Sequence, residues 1–209
     1  MAVQAPSRRP RVSQAFVDMH RRRRYVDATA EILHEFGRAA ATTTNVINLA
    51  GGARSSFYEV FSNVEECITY GLGIAEAELF ASLEDLPGED GWLGDVERAI
   101  AGFFEAVAAN PTLAELYLIH SATSRTEQGR GAFDSAGEHF LPLLRRGRAE
   151  AEALGRRPPS EVIEQCLSHA IVALAAARVR RTDIKTLAAE SRPTAAMVAG
   201  FYVGGTAQV

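Results

Sequence analysis

Arg54, Ser55, Ser56 and Tyr58 bring a guanidinium, two hydroxyls and a phenol into one short stretch of the chain. Such groups donate hydrogen bonds to phosphate oxygens and to base edges. They lie within TTTNVINLAGGARSSFYEVF, residues 42–61, where Phe57 and Phe61 recur at i and i+4 with Val60 beside them. On a helix those apolar residues face inward and leave the polar group on or near the outer side.

The preceding residues would position that helix. Thr42 can cap a helix of about two turns whose apolar side is Val46, Ile47, Leu49 and Ala50. Gly51-Gly52 then supplies a turn at which positive φ is cheap. Two helices joined by a short turn containing glycine place the second helix in a DNA major groove. A plain helical corner with a polar exposed face has the same spacing.

Charge favours a polyanion at this end. Residues 1–60 hold nine arginines against five acids, while the rest of the chain has thirteen basic and twenty-one acidic residues. Successive residues of the run Arg21 to Arg24 turn by about 100° each, so the run cannot form a single stripe. Cations near a helix N-terminus are mildly unfavourable. Phosphate contact through Arg22 and Arg23 would offset this; an exposed, salt-screened end that tolerates it is the other reading.

The supporting elements all read as helices. Residues 1–12 read as a basic arm without structure, and YVDATAEILHEF is expected to carry a buried stripe of Tyr25, Ala28, Thr29, Ile32, Leu33 and Phe36, stopped by Gly37. Further helices are expected over 63–83, through WLGDVERAIAGFFEAVAAN, and from Pro111 onward. Residues 126–154 read as one helix interrupted near Gly129, Gly131 and Pro142, followed by a final pair over 160–181 and 183–203. VIEQCLSHAIVALAAARV is apolar around most of its circumference, which suits either the centre of a monomeric bundle or a face covered by a second subunit. The division expected is an arm over 1–20, a DNA-reading unit over 21–62 and a helical body over 63–209.

Other chemistry finds little support. The five histidines lack metal-pair spacing, Gly51-Gly52 lacks a P-loop's other residues, and no Gly-x-Ser-x-Gly occurs. No metal, cofactor or catalytic residue is expected. No apolar run approaches the roughly 20 residues of a membrane span, and no secretory leader is recognised. Cys67 and Cys166 read as buried free thiols in a reducing cytoplasm. Candidates for lining a small-molecule pocket are Trp92, Phe103, Phe104, Tyr117, His120, Phe133 and Phe140. They suggest an apolar or aromatic effector of modest size.

YVDATAEILHEFG followed by TTTNVINLAGGARSSFYEVFSNVEEC resembles the N-terminal domain of the TetR family of transcriptional regulators. Counting back from Phe57-Tyr58-x-x-Phe61, the family's Ala-Gly falls on Ala50-Gly51 and its Asp-Ile on Asn45-Val46. The Thr that opens the helix falls on Thr42, and the glycine that ends helix 1 on Gly37. The resemblance covers about 45 residues. It implies an all-α fold: a three-helix helix-turn-helix domain, then a helical domain for ligand binding and dimerisation. It also implies DNA contacts from Thr42, Thr44, Arg54, Ser55, Ser56 and Tyr58, the last chiefly to phosphate. By the same resemblance the final helix pair, residues 160–203, is a homodimer interface, and a ligand alters the spacing of two heads on a palindromic operator, repression being the usual outcome. Four positions depart from the pattern: Gly52 for a buried Val, Ala53 for a Ser/Thr cap, Ile47 for a small Ala, and Val64 for a phosphate-touching Lys. They bear on affinity and pose rather than on the class; Gly52 and Ala53 are the best support for a rival reading, an interaction module or enzyme with a vestigial motif, and a regulator without effector is a further one.

Overall fold

The computed structural model describes residues 13–121 and 127–203. Helix α1 runs Gln14–Phe36, and Ser13 caps it by accepting from the Phe16 N–H at 3.2 Å. It therefore begins well before Tyr25 and takes in part of the stretch expected to be an arm; residues 1–12 lie outside the described residues. Arg21 to Arg24 consequently occupy the helix interior, so the helix-terminus argument about their charge does not apply. Tyr25, Ala28, Thr29, Ile32 and Leu33 are buried as the periodicity predicts. Phe36 is instead 69% exposed, because the helix runs past the core before Gly37, at φ 73°, ends it.

Short α2 (Thr43–Leu49) and α3 (Arg54–Tyr58) follow, then α4 (Val64–Phe80), capped by Asn63. Glu66 sits in the first turn of α4 and accepts from the Ser62 N–H at 2.6 Å, which lowers its carboxyl pKa. The body is built from α5 (Gly91–Ala109), α6 (Pro111–Glu115, running on as a π-helical turn over Leu116–His120), α7 (Glu127–Ala136), α8 (Leu141–Ala153), α9 (Glu161–Arg180) and α10 (Leu187–Val203). Among the described residues there is no strand.

The break expected near Gly129 and Gly131 falls after Ala136 instead. Gly137 is pinned to α9 there: its carbonyl accepts from the Ser168 hydroxyl, and a Cβ on it would meet the His169 ring. Pro142 occupies the first turn of α8, where a missing N–H costs nothing.

Core packing centres on Phe80, whose ring meets Phe103 (4.9 Å), Tyr117 (5.9 Å), His139 (3.9 Å) and Phe140 (6.2 Å). Trp92 joins a separate group, packing on Tyr202 at 4.5 Å and donating its indole N–H to the Leu143 carbonyl at 2.8 Å. Two buried carboxylates tie the body together. Asp95 binds Arg146 and Arg98, and Glu164 binds Arg148 and the Tyr202 hydroxyl.

Helix α9 divides its apolar circumference. Leu167, Ile171, Val172, Ala175, Ala176 and Val179 are buried, while Val162 and Ile163 are exposed alongside Met197 and Phe201 of α10. By length and composition this one described helix would suffice to cross a membrane, against the expectation of no run of that length, but its buried side packs on α5, α6 and α8. Cys67 is buried, with burial pushing its thiol up to about 12. Cys166 is exposed, which corrects the expectation that both thiols are internal.

Candidate nucleic-acid interface

The geometry starts at Thr42, whose hydroxyl accepts from the Asn45 N–H at 3.3 Å and caps α2. The turn after α2 is a Schellman motif. Gly51, at φ 61°, donates to the Asn48 carbonyl, and Gly52 donates to the Ile47 carbonyl at 3.1 Å. Ala53 offers no side-chain cap, so α3 starts with its first N–H groups unserved by the chain's side chains.

Phe57, Val60 and Phe61 are buried and fix the inner side of α3. Phe57 meets Tyr25 edge-on at 5.1 Å and Phe61 at 5.8 Å. Held on that base, Arg54 and Ser55 are exposed, Ser56 is half-buried, and Tyr58 is 46% exposed with the Arg54 guanidinium 5.6 Å from its ring centre. Thr42 and Thr44 are exposed at the start of α2. The polar group expected on the outer side is thus assembled there.

Gly52 has a specific reason to be glycine. A Cβ on it would lie 2.4 Å from the Tyr25 hydroxyl oxygen. The Tyr25 ring is fully buried and occupies the space that a valine at 52 would need.

The arginine run divides by partner. Arg21 pairs with Glu59 and Asp18, and Arg23 with Asp27 and Glu78, while Arg22 lies over the rings of Phe61 and Tyr70 at 5.3 and 5.1 Å. Carboxylates of the chain itself therefore offset Arg21 and Arg23. Arg24 is exposed, lies 5.4 Å from the Tyr25 ring centre, and has no carboxylate partner among the described residues. The sequence singled out Arg22 and Arg23; nothing in four identical neighbours distinguishes Arg24 until the helix phase is known.

The pocket candidates do not converge as a set. Phe103, Tyr117 and Phe140 pack around Phe80, Phe104 is buried beside Phe103, and Trp92 belongs with Tyr202. His120 lies at the end of α6, 3.4 Å from Glu115, and the side chain of Phe133 is outside the described residues. These aromatics fill the core rather than line an opening.

The head meets the body along α1. Thr29 contacts Cys67 of α4 at 3.4 Å, Arg38 pairs with Glu65, and His34 hydrogen-bonds Glu115 of α6 at 2.6 Å. The bond to Glu115 raises the His34 pKa, with Glu35 and Glu31 adding to it; burial lowers that of His120 despite the same Glu115. A raised imidazole contributes stability that is complete below its unfolded pKa, about 6.5, and lost as pH rises through the folded value. Melting temperature is therefore expected to fall as pH climbs from about 6.5. His34→Gln removes that alkaline limb and leaves the acid limb from His120; an unchanged melting profile over that range would show that the His34 bond contributes nothing.

No family model matches the chain, and no curated protein sequence matches it. Solved structures do. The fatty acid degradation regulator FadR from Bacillus halodurans is similar over 86% of this chain and 95% of its own, at 17% identity and a TM-score of 0.68. A TetR-family regulatory protein from Rhodococcus RHA1 covers 90% and 98% at 16% identity and 0.69. The TetR-family regulator PfmR from Thermus thermophilus covers 89% and 97% at 16% identity and 0.67. With a helix-turn-helix head and an all-α body that align with these proteins over 86–90% of its length, the chain has the fold of the TetR-family transcriptional regulators.

Proposed function

We propose that this protein is a cytoplasmic, ligand-responsive transcriptional regulator, a repressor, that binds a palindromic operator as a homodimer. The observation that carries the reading is the outer face of α3. Arg54, Ser55 and Tyr58 project from a helix seated on buried Phe57 and Phe61, four residues after a capped α2. Thr42, Thr44 and Ser56 complete the contact set, with Arg24 in the phosphate-facing place first given to Arg22 and Arg23. Recognition helices of the two subunits would occupy successive major grooves about 34–36 Å apart. Dimerisation through residues 160–203 is supported by the exposed apolar side chains of Val162, Ile163, Met197 and Phe201 on the final pair. An effector held in the body would favour a different head spacing and shift the population off DNA.

The test is a titration against the promoter region beside the protein's own gene at two salt concentrations, with a scrambled duplex as control. Specific, salt-dependent binding is expected. Arg54→Ala should weaken it by about 1–3 kcal/mol, and Tyr58→Phe by about 1 kcal/mol. Both side chains are exposed, so melting temperature should stay within a degree or two of the parent. Unchanged affinity in both variants would remove α3 from the interface.

A further inference from the structure

A groove of about 570 Å³ runs along the outer side of α4 toward α7, lined by Thr69, Tyr70, Gly73, Ile74, Ala77 and Ala132, with Leu72 and Glu76 among them. Its volume falls within the range of small-molecule sites. We propose that this groove binds a small apolar cation whose charge is held by Glu76, deepening the ligand-responsive reading above and resting on it.

Two observations point to a ligand. The first is the set of partners at Glu76. Tyr117 donates its hydroxyl to Oε1 at 3.3 Å, and His139 Nε2 meets the same oxygen at 2.9 Å. Both fix the carboxylate through one oxygen, and no arginine or lysine among the described residues pairs with it. The second oxygen has no described partner, the Glu76 side chain is 37% exposed, and Glu76 is the one charged residue of a lining whose other polar member is Thr69. A carboxylate so placed accepts from a ligand N–H⁺, and a charge-assisted bond is the strong kind. An anionic ligand would meet repulsion from it.

The second observation is Gly73. It sits in the middle of α4, exposed, and a Cβ built on it would meet nothing within 4 Å. Glycine inside a helix is unfavourable, and no neighbouring atom requires one here. What the missing side chain does is keep the groove floor open between Tyr70 and Glu76.

The dimensions select the ligand's shape. Tyr70 and Glu76 are six residues apart on one helix, so the floor is about 9 Å long. Arg22 lies over Tyr70 at the far end, 5.1 Å from its ring centre. The positive end of the ligand therefore belongs at Glu76, with its apolar body extending along Gly73 toward Tyr70. Because α4 leads directly from the helix-turn-helix into the body, occupancy of this groove bears on the helix that carries the head.

The experiment uses three eight-carbon probes that differ only in head group: octylammonium, octanoate and octanol, each below its micelle-forming concentration. Binding to the full chain is followed by calorimetry and thermal shift without DNA. Octylammonium is expected to bind and raise the melting temperature, with octanoate and octanol at least about tenfold weaker. Glu76→Gln should bring octylammonium down to the affinity of octanol. Gly73→Leu, which suits a helix better than glycine, should fold as well as the parent and lose the site. Equal binding of all three probes, binding of none, or full binding by the Gly73→Leu chain would overturn the proposal. Because DNA is absent, such a failure leaves the operator titration standing. A failed operator titration with octylammonium still bound would overturn the regulator reading and leave the groove.

Discussion

Arg148→Ala is expected to lower folding stability by about 3–5 kcal/mol, the largest single-residue effect foreseen for this chain. Glu164 is 1% exposed and is gripped through both oxygens, by Arg148 Nε at 3.1 Å and Nη2 at 2.6 Å, with the Tyr202 hydroxyl donating to Oε1 at 3.1 Å. The three residues of this network come from α8, α9 and α10, so it joins α8 to the pair proposed as the subunit interface. Without the guanidinium a carboxylate stays in a dry site and must either remain charged there or take up a proton. Urea unfolding is the measurement. A companion change of Glu164→Leu with Arg148→Met should recover most of the loss, since a well-packed apolar pair often replaces a buried ion pair at no net cost. A loss below about 1 kcal/mol for Arg148→Ala would place the pair with solvent-screened bridges.

Gly52→Val is expected to destabilise the head by about 1–3 kcal/mol, although valine is what the family resemblance favours there. The new Cβ would meet the Tyr25 hydroxyl at 2.4 Å, and the Tyr25 ring cannot swing aside because it is fully buried against Phe57. The strain would fall on the turn that aims α3, so operator affinity should drop along with stability. Tyr25→Leu removes the obstruction. In a double-mutant cycle the pair should cost less than the sum of its parts by about 0.5–3 kcal/mol. Strict additivity would mean that the two sites do not share this volume.

Fold class was legible because its signals are local. Thr42 as a cap, Gly37 and Gly51 as positive-φ positions, and the Phe57/Phe61 spacing each announce a boundary or a buried side within a few residues. The inner stripe of α1 followed the 3.6-residue period down to Leu33, and it failed at Phe36 only because periodicity does not tell how far the partner surface extends. What was not legible depends on distant partners. Nothing near Gly137 in sequence reveals His169, and nothing near Gly52 reveals Tyr25. For the same reason the aromatic candidates of the body read as a possible pocket, although their rings meet one another. Nothing near Glu76 in sequence reveals its contacts either, since Tyr117 and His139 reach it from far along the chain.

The contrast between the two cysteines gives the protein a built-in chemical clock. With its thiol held up at about 12 beneath α1, Cys67 presents almost no thiolate to a reagent at neutral pH, whereas Cys166 stands on the bare side of α9. A disulfide reagent therefore counts one fast thiol on the native chain and a second only when the head peels from the body. The fast reaction reads whatever comes to rest on α9, and the slow one reads opening of the contact between α1 and α4. The proposed assembly through α9 and head release can thus be timed in one reaction, on the native sequence, without adding a dye-bearing residue.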